Sequence, residues 1–157
     1  MKICSTLKFN PYLNGIIKNL NTISKQNVIT SANFETTIFA DGEMLPTFNE
    51  SIRDEDVVII GSTEQPHDNI FEMLLIIDAA RRANAKKITC IIPFFGYARQ
   101  DRRDGVRCSH GSKVVANLLE NAGVNQMITF DIHATQIDGN FNIPFNNYYG
   151  TEFSFFD

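Results

Sequence analysis

ITCIIPFFGYARQDRRD, residues 88–104, is the stretch from which the fold of this chain is predicted. Its first eight residues, Ile88 to Phe95, are almost continuously apolar and rich in β-branched and aromatic side chains, which is typical of a strand buried on both faces of a parallel sheet. Gly96 and the charged residues after Ala98 end this strand. Ligands of open α/β sheets bind just beyond the carboxyl ends of the strands, so we expect a binding site at residues 96–100.

Strands and helices alternate on both sides of this stretch. From Val57 onward the predicted order is strand, helix, strand, helix, strand, and right-handed crossovers then bring these strands into one parallel sheet. The sequence therefore predicts an α/β fold with a mostly parallel sheet and helices on both faces. The polar residues that follow three of the strands, at 62–63, 96–100 and 131–133, should gather along one edge of that sheet.

The bounds of the other elements are predicted from periodicity and capping residues. A strand at 28–39 is followed by a turn and by an antiparallel partner at 44–49. Asp68 is expected to cap a helix by accepting backbone N–H bonds, and Gly123 is expected to end the last helix. The remaining strands are predicted at 2–9, 57–60 and 127–132. The helices are predicted from 10 to 24–26, from 70 to 83, and from the residue after Ser112 to a stop at Gly123.

Composition and charge limit the classes of protein to which the chain can belong. With 157 residues, 43% hydrophobic and 20% charged, it can form one globular domain with its own core. A net charge of −4 argues against a protein that coats nucleic acid. The three cysteines have no metal or redox spacing, and no apolar leader or membrane-spanning run is present. These features predict a soluble cytoplasmic protein without a membrane partner.

Four arginines follow the predicted strand within nine residues. They are Arg99, Arg102, Arg103 and Arg107, and Asp101 and Asp104 lie between them. Guanidinium groups bind phosphate oxygens in a bidentate manner, so the cluster is a candidate site for a polyphosphate. The alternative is a solvated loop whose arginines pair with their own aspartates. The sequence leaves both interpretations open, although the position at a strand end adds weight to the phosphate site.

Asp131 and His133 lie two residues apart at the end of another predicted strand, which would place both on the same side of it. A carboxylate and an imidazole in this arrangement can bind one divalent cation. A histidine at a strand end is more often a hydrogen-bonded core residue, so the pattern is weak by itself. His67 and His110 have no spacing typical of metal ligands, and we expect both at the surface.

The segment FADGE, Phe39 to Glu43, combines an aromatic ring, a turn glycine and two carboxylates. Such a segment can stack on a base and accept hydrogen bonds from its amino group or from a ribose hydroxyl. It is equally a type I′ turn around Asp41 and Gly42. The chain contains neither a P-loop nor a G-x-G-x-x-G motif, which excludes the common phosphate-binding loops.

Several blocks of the sequence follow one another in an order typical of one enzyme family. They are FADGE at 39–43, ESIRDEDVVIIGST at 50–63, DNIFEMLLIIDAARRANA at 68–85, IIPFFGYARQDRR at 91–103, KVVANLLENAG at 113–123 and DIHATQIDGNFNIP at 131–144. Together they make the chain closely resemble ribose-phosphate diphosphokinase, also called phosphoribosyl pyrophosphate synthetase. Blocks that extend over nearly the whole chain are far more specific than any single motif.

This resemblance implies a fold, a reaction and an assembly. By this resemblance, the family's chains consist of two similar α/β halves of phosphoribosyltransferase type, joined in a longer chain. These chains assemble as homohexamers. They transfer the β,γ-diphosphoryl group of MgATP to the anomeric hydroxyl of ribose 5-phosphate, which yields phosphoribosyl pyrophosphate and AMP. The implied cofactor is Mg²⁺, the implied diphosphoryl donor is ATP, and the implied partners are ATP, ribose 5-phosphate and further subunits.

The resemblance also implies roles for individual residues. His133 would bind magnesium with Asp131 close by, and the FADGE segment would hold adenine across a subunit contact. Ser51 and Arg53 match positions that contribute to an allosteric phosphate site in regulated members. The nucleotide-binding residues that the resemblance implies are Phe39, Asp41, Gly42, Glu43, Arg99, Gln100 and, as a weaker match, Asp104.

Two short segments depart from the family pattern. The loop that reads approximately S-R-x-P-I-[ST]-A-K in the family is VRCSHGSK here, at residues 106–113, and it keeps Arg107 and Lys113 but loses the proline and the isoleucine. After His133, the glutamine and the first aromatic residue of the family are replaced by Asp138 and Asn140. Asp138 could add a carboxylate to the metal site, or the change could be neutral.

The domain organisation implied by the resemblance is a nucleotide-binding domain at 1–150, with residues 151–157 as the start of a second domain that is missing. The missing half would carry the pentose-phosphate loop and the catalytic residues, so the isolated chain is expected to be inactive. Two alternatives remain at this stage. The chain could be a non-catalytic regulatory partner of a full-length synthetase, or the diphosphoryl group could go to a different ribose 5-phosphate ester.

Overall fold

The computed structural model describes residues 1–24 and 28–152. The described strands are β1 (Lys2–Ser5), β2 (Thr30–Ser31), β3 (Phe34–Ile38), β4 (Met44–Phe48), β5 (Asp56–Ile60), β6 (Lys87–Ile92), β7 (Gln126–Phe130) and β8 (Phe145–Tyr148). Six of them form one sheet in the order β2-β1-β5-β6-β7-β8, and every neighbouring pair in it is parallel. The predicted parallel α/β sheet is thereby confirmed.

Helices cover both faces of this sheet, as predicted. Helix α1 (Asn10–Ile23) buries Leu13 against Ile3 and Ile60 on one face. Helices α2 (Asp68–Arg82) and α3 (Gly111–Ala122) pack on the opposite face, where they form the larger core. Ile59 belongs to the α2 and α3 face and its neighbour Ile60 to the α1 face, because successive side chains of a strand point to opposite sides.

The segment predicted as one strand at 28–39 is two strands, β2 and β3. The break falls where the backbone changes partners. The N–H of Ala32 donates to the carbonyl of Ile3 in the parallel sheet (2.8 Å), whereas the next carbonyl, of Asn33, accepts from the N–H of Asn49 (2.7 Å). From there β3 pairs with β4 in a separate antiparallel ribbon that packs on α2. A weak alternation of side chains could not show this change.

Several ends of elements differ from the prediction. Strand β6 ends at Ile92 rather than at residue 95. Strand β1 ends at Ser5 rather than at residue 9, because the carbonyl of Thr6 accepts from the N–H groups of Phe9 (3.0 Å) and Asn10 (3.1 Å) and turns the chain into α1. Asp68 does not cap α2 but is its first residue, and the N-cap position is occupied by His67 without a side-chain hydrogen bond. The carboxylate of Asp68 still lies in the first turn, where negative charge suits the helix dipole.

The ends of the other two helices are as follows. Gly123 ends α3 with φ of 127°, a conformation that favours glycine, so this prediction is confirmed. Helix α1 ends at Ile23, and residues 25 and 26 of its predicted end lie outside the described part of the chain. No helix in the described ranges is both long and apolar enough to cross a bilayer.

A buried carboxylate joins three parts of the fold. Glu72 of α2 is only 3% exposed, and its Oε1 accepts hydrogen bonds from the backbone N–H of Leu7 (3.0 Å) and from the hydroxyl of Thr36 (3.3 Å). The turn after β1 and the β3–β4 ribbon are thus both tied to α2. Burial raises the pKa of Glu72 above its ordinary value of 4.5, and the two hydrogen bonds offset only part of this effect.

Replacement of Glu72 by glutamine should change how stability depends on pH. The raised pKa means that the folded state holds this proton more tightly than the unfolded chain, so the contribution of Glu72 to stability falls as pH rises from 4.5 through the folded pKa. Glu72→Gln keeps an acceptor for both donors and removes the charge. Its free energy of unfolding relative to wild type, measured by urea denaturation, should therefore increase between pH 4.5 and neutral pH.

The exposed Glu35 provides the control for this experiment, because Glu35→Gln removes one negative charge of the ribbon without removing a buried one. A difference between Glu72→Gln and wild type that stays constant or shrinks with rising pH would contradict the prediction.

Candidate nucleotide-binding site

A cavity of about 540 Å³ lies at the carboxyl edge of the sheet, where β5, β6 and β7 end. Its walls come from the three loops that the sequence places at this edge, and the predicted convergence of those loops is confirmed. The acidic, amide and aromatic residues that complete the walls belong to no pattern that would mark them in the sequence. The residues lining it are Thr63, Glu64, Gln65, Phe94, Phe95, Gly96, Tyr97, Ala98, Arg99, Gln100, Phe130, Asp131, Ile132 and His133.

The loops after β5 and β6 are locked together at Gly96. The backbone N–H of Gly96 donates to the hydroxyl oxygen of Thr63 (2.6 Å), and the Thr63 hydroxyl lies 3.5 Å from the carbonyl of Phe94. A Cβ atom on Gly96 would overlap the backbone carbonyl of Thr63. Glycine is therefore required here for close approach of two backbones, a role that the sequence alone did not reveal.

Tyr97 turns the chain directly after this contact. Its φ of 64° lies in the left-handed region that bulky residues rarely adopt. Its carbonyl accepts from the N–H of Gln100 (2.9 Å), and its phenol oxygen lies 3.3 Å from Nδ1 of His67. His67 is exposed, as predicted. The turn places Arg99 and Gln100 in the wall of the cavity.

The arginines of the loop divide into two groups. Arg99 lines the cavity and has no ion pair with any carboxylate in residues 1–24 and 28–152. Arg102 instead pairs with Asp104 (2.8 Å), and both side chains are more than 70% exposed. The alternative of a solvated loop with internal ion pairs therefore applies to Arg102 and Asp104. The structure does not bring Asp104 to the cavity. Arg103 is also exposed and outside the cavity wall.

Asp131 and His133 both line the cavity, but not for the reason predicted. Strand β7 ends at Phe130, and Asp131 has φ of 46°, so the alternation of a strand no longer applies to these residues. The Asp131 carboxylate accepts from the N–H of Gly150 (2.9 Å). The His133 side chain is exposed and has no hydrogen bond to the described residues.

This donor set suits a cation that needs few protein ligands. No group of three or more histidine, cysteine or acidic side chains is placed to hold a metal within the described residues. Mg²⁺ commonly keeps several waters and is bound by one or two protein oxygens together with phosphate oxygens of a substrate. Asp131 offers an exposed carboxylate and His133 an imidazole without a hydrogen bond to the described residues, in the same cavity as Arg99. Such a set fits that arrangement better than it fits a closed structural metal site.

The FADGE segment lies apart from the cavity, at the tip of the β3–β4 ribbon. The N–H of Phe39 donates to the carbonyl of Glu43 (2.9 Å), and the N–H of Glu43 donates to the carboxylate of Asp41 (3.1 Å). Gly42 has positive φ (91°) but Asp41 does not, so the turn is not of type I′. Phe39 is 47% exposed and is not among the residues that line the cavity.

Other residues singled out in the sequence lie outside the cavity. His110 is half-buried rather than at the surface, and its Nε2 is shielded from solvent without a hydrogen-bond partner in the described residues. Cys4 and Cys90 are buried, and burial raises the pKa of both thiols. Cys108 is exposed, and its thiol donates to the carbonyl of Gly105 (3.1 Å).

A family model described as the N-terminal domain of ribose phosphate pyrophosphokinase matches residues 10–123 of the chain. The chain belongs to this family. It is 51% identical over 113 residues to the ribose-phosphate pyrophosphokinase of Porphyromonas gingivalis, an alignment that covers 72% of this chain and 36% of that protein. Ribose-phosphate pyrophosphokinase A of Dictyostelium discoideum is 52% identical over 113 residues, with 71% and 36% coverage.

The fold also matches a solved member of the pyrophosphokinase family. The crystal structure of phosphoribosylpyrophosphate synthetase from Mycobacterium smegmatis superposes with a TM-score of 0.86 at 30% identity, and the match covers 97% of this chain and 49% of that one. The similarity therefore corresponds to the N-terminal half of the family. The chain spans about one third to one half of the length of these relatives.

In this pyrophosphokinase domain, Gly96→Ala should destabilise the fold by about 1–3 kcal/mol, because its Cβ would collide with the Thr63 carbonyl. Gly15→Ala is the matched control, since no described atom outside its own stretch of α1 lies within 4 Å of the position of its Cβ. That control should stabilise the domain by about 0.5–1 kcal/mol. Both changes can be measured by urea denaturation, and equal stability of the two variants would show that the contact between the loops is not tight.

Proposed function

We propose that this chain is the nucleotide-binding half of a ribose-phosphate pyrophosphokinase and binds MgATP in the cavity at the ends of β5, β6 and β7. One observation carries the proposal: Arg99, which has no carboxylate partner in the described residues, lines the same cavity as Asp131 and His133. A cationic fork beside potential magnesium ligands is the combination that a triphosphate with its metal requires. The family membership supports the same function.

The chemistry of diphosphoryl transfer suits such a site. Transfer of phosphoryl groups needs little covalent help from the protein, and catalysis comes mainly from alignment and neutralisation of charge. In this proposal, Arg99 binds phosphate oxygens, and Gln100 contributes a further polar contact. The Gly96 contact with Thr63 holds their loop in place. The aromatic side chains of the wall exclude water from part of the bound nucleotide.

Magnesium would be held by His133 and Asp131, with phosphate oxygens and waters as the other ligands. Bound there, the ion would neutralise the negative charge that develops on the phosphates. Asp131 has one carboxylate oxygen engaged by the N–H of Gly150, which fixes the orientation of the group. His133 has no hydrogen bond to the described residues and is free to turn towards a ligand.

The acceptor site and the adenine contact require further protein. Relatives that are about three times as long as the matched segment support a second half that binds ribose 5-phosphate. We place the domain at residues 1–150, with the second domain beginning after it. The ribbon tip exposes Ile38 (59%), Phe39 (47%) and Leu45 (51%), an apolar surface that fits contact with another subunit and a shared adenine site.

Binding of MgATP should depend on Arg99. Arg99→Ala removes a charge-assisted contact of about 1.5–3 kcal/mol, so affinity should fall by about tenfold or more. Arg103→Ala is the matched control, because Arg103 is exposed on the same loop but does not line the cavity. Titration calorimetry at low ionic strength measures both. If Arg103→Ala weakens binding as much as Arg99→Ala, the phosphates do not lie in this cavity.

The gain in ATP affinity on adding Mg²⁺ should depend on Asp131. Asp131→Asn keeps an oxygen for Gly150 and tolerates the positive φ, yet removes the charge that a hard cation prefers. Asp138→Asn is the control, since Asp138 is exposed and lies outside the cavity wall. Only Asp131→Asn should reduce the ratio of affinities measured with and without Mg²⁺. A reduction confined to Asp138→Asn would place the metal elsewhere.

The chain alone should not form AMP from ATP and ribose 5-phosphate, because the cavity accounts for the donor and not for the acceptor. A coupled assay for AMP, with and without an added full-length synthetase, measures this. Rapid AMP formation by the purified chain would contradict the division of the site between two halves. A change in the activity of the added enzyme, with no activity of the chain itself, would favour the non-catalytic partner.

A further inference from the structure

Gln100 contacts Gly111 and Ser112, and Asn140 is linked to it through Ser112. In the approximate pattern of the family that this chain resembles, residue 111 is Ser or Thr, residue 112 is Ala and residue 140 is aromatic, whereas this chain has Gly111, Ser112 and Asn140. The three positions belong to two segments, the N-terminus of α3 and a 3₁₀ helix at Thr135–Asn140. The contacts around Gln100 therefore bring these departures together in one place of the fold.

Ser112 and Asn140 form a buried polar chain that ends on the backbone of Gln100. The side-chain amide of Asn140 donates to the Ser112 hydroxyl oxygen (2.8 Å), and that hydroxyl donates to the carbonyl of Gln100 (3.0 Å). The backbone N–H of Ser112 donates to the same carbonyl (3.2 Å). Ser112 is 0% exposed and Asn140 is 7% exposed. The backbone carbonyl of Asn140 accepts from Nζ of Lys113, which closes the network.

Neither polar residue would fit the family pattern without the other. Asn140 opposite an alanine would bury amide N–H groups with one partner fewer, and Ser112 opposite an aromatic ring would lose its donor. Gly111 completes the set, because a Cβ there would overlap the side-chain carbonyl of Gln100 and would lie 2.9 Å from its Cδ atom. The Gln100 side chain thus occupies space that the Ser or Thr of the pattern would fill.

We propose that Ser112 and Asn140 are positioning residues of the nucleotide site, which fix the Gln100 end of the loop that carries Arg99. The other end of this loop is fixed by the hydrogen bond from Gly96 to Thr63. Arg99 therefore lies between two anchored points, and its guanidinium needs less ordering when a polyphosphate binds. This inference deepens the proposed function and rests on it, since it assumes that the loop contacts a nucleotide.

The variants separate positioning from stability. Ser112→Ala removes one of the two hydrogen bonds to the Gln100 carbonyl and leaves the Asn140 amide without its partner. Asn140→Leu introduces a side chain of similar size and removes only the hydrogen bond from the Asn140 amide to the Ser112 hydroxyl. The double variant replaces both partners by apolar groups, so the buried amide no longer lacks an acceptor. Ser31→Ala, a distant exposed serine, and Ile77→Val, a buried core change, are the controls.

Calorimetric titration with MgATP, well below the melting temperature of every variant, provides the first readout. Ser112→Ala should weaken binding by about threefold to tenfold, the loss expected for one hydrogen bond, and Asn140→Leu should weaken it less. Ile77→Val should lower the melting temperature without a change in affinity, and Ser31→Ala should change neither. Thermal unfolding provides the second readout, in which the double variant should be more stable than the sum of the single effects predicts.

Two results would overturn the positioning role. One is unchanged MgATP affinity of Ser112→Ala and Asn140→Leu while Arg99→Ala loses affinity, which leaves the proposed function intact. The other is strict additivity of the two substitutions in thermal unfolding, which would show that the two side chains are not coupled. Absence of MgATP binding by the wild-type chain would be distinct from both, because it would overturn the nucleotide site itself and the positioning role with it.

Discussion

The parallel pairing of β5, β6 and β7 is the constraint on which the rest of the structure depends. Val57 pairs with Ile88 and Cys90 pairs with Met127, so the three strands run side by side and end at one edge. Parallel strands need crossover helices, and α2 and α3 supply them on one face of the sheet. The loops that leave the three strands are then forced into contact, and the cavity is the space that remains between them.

Two residues of these loops adopt backbone conformations that would not persist alone. Tyr97 and Asp131 both have positive φ, at a cost of about 1–3 kcal/mol for a residue held in such a region. Tyr97 is held between the Gly96 contact and the hydrogen bond from the N–H of Gln100. Asp131 is held by its N–H bond to Tyr148 and by Gly150. The scaffold thus maintains strain at the positions that direct side chains into the cavity.

The sheet could be predicted from its long apolar runs. The features that depend on individual polar hydrogen bonds could not be predicted. The strand from Ile88 was recognisable because a continuous apolar segment has few alternatives in a chain of this length. The break between β2 and β3 was not recognisable, because it depends on a single hydrogen bond from the N–H of Asn49 to the carbonyl of Asn33, which belongs to the ribbon and not to the parallel sheet. The capping role expected of Asp68 was wrong. The residue type is suitable for a cap, but the helix begins at Asp68 itself, and the residue type does not fix that boundary.

Four of the predicted site residues could be placed at the cavity from the sequence, whereas the way in which the cavity is built could not be predicted. Arg99, Gln100, Asp131 and His133 could be placed at one edge because the ends of parallel strands meet there. The separation of Arg99 from the Arg102 and Asp104 pair follows from the turn at Tyr97, which no pattern of charges encodes. The role of Asn140 was equally hidden, because its partner Ser112 lies 28 residues away in the sequence.

Of the three cysteines, only Cys108 is accessible to a thiol-reactive label in the folded chain. Cys4 and Cys90 lie within the core with protonation favoured by burial, whereas Cys108 stands in solvent between Arg107 and the start of α3. Thiolate character and access decide which cysteines react with alkylating agents. A maleimide fluorophore would thus attach at the segment that follows the arginines, and its emission would follow movement of that segment without any engineered cysteine.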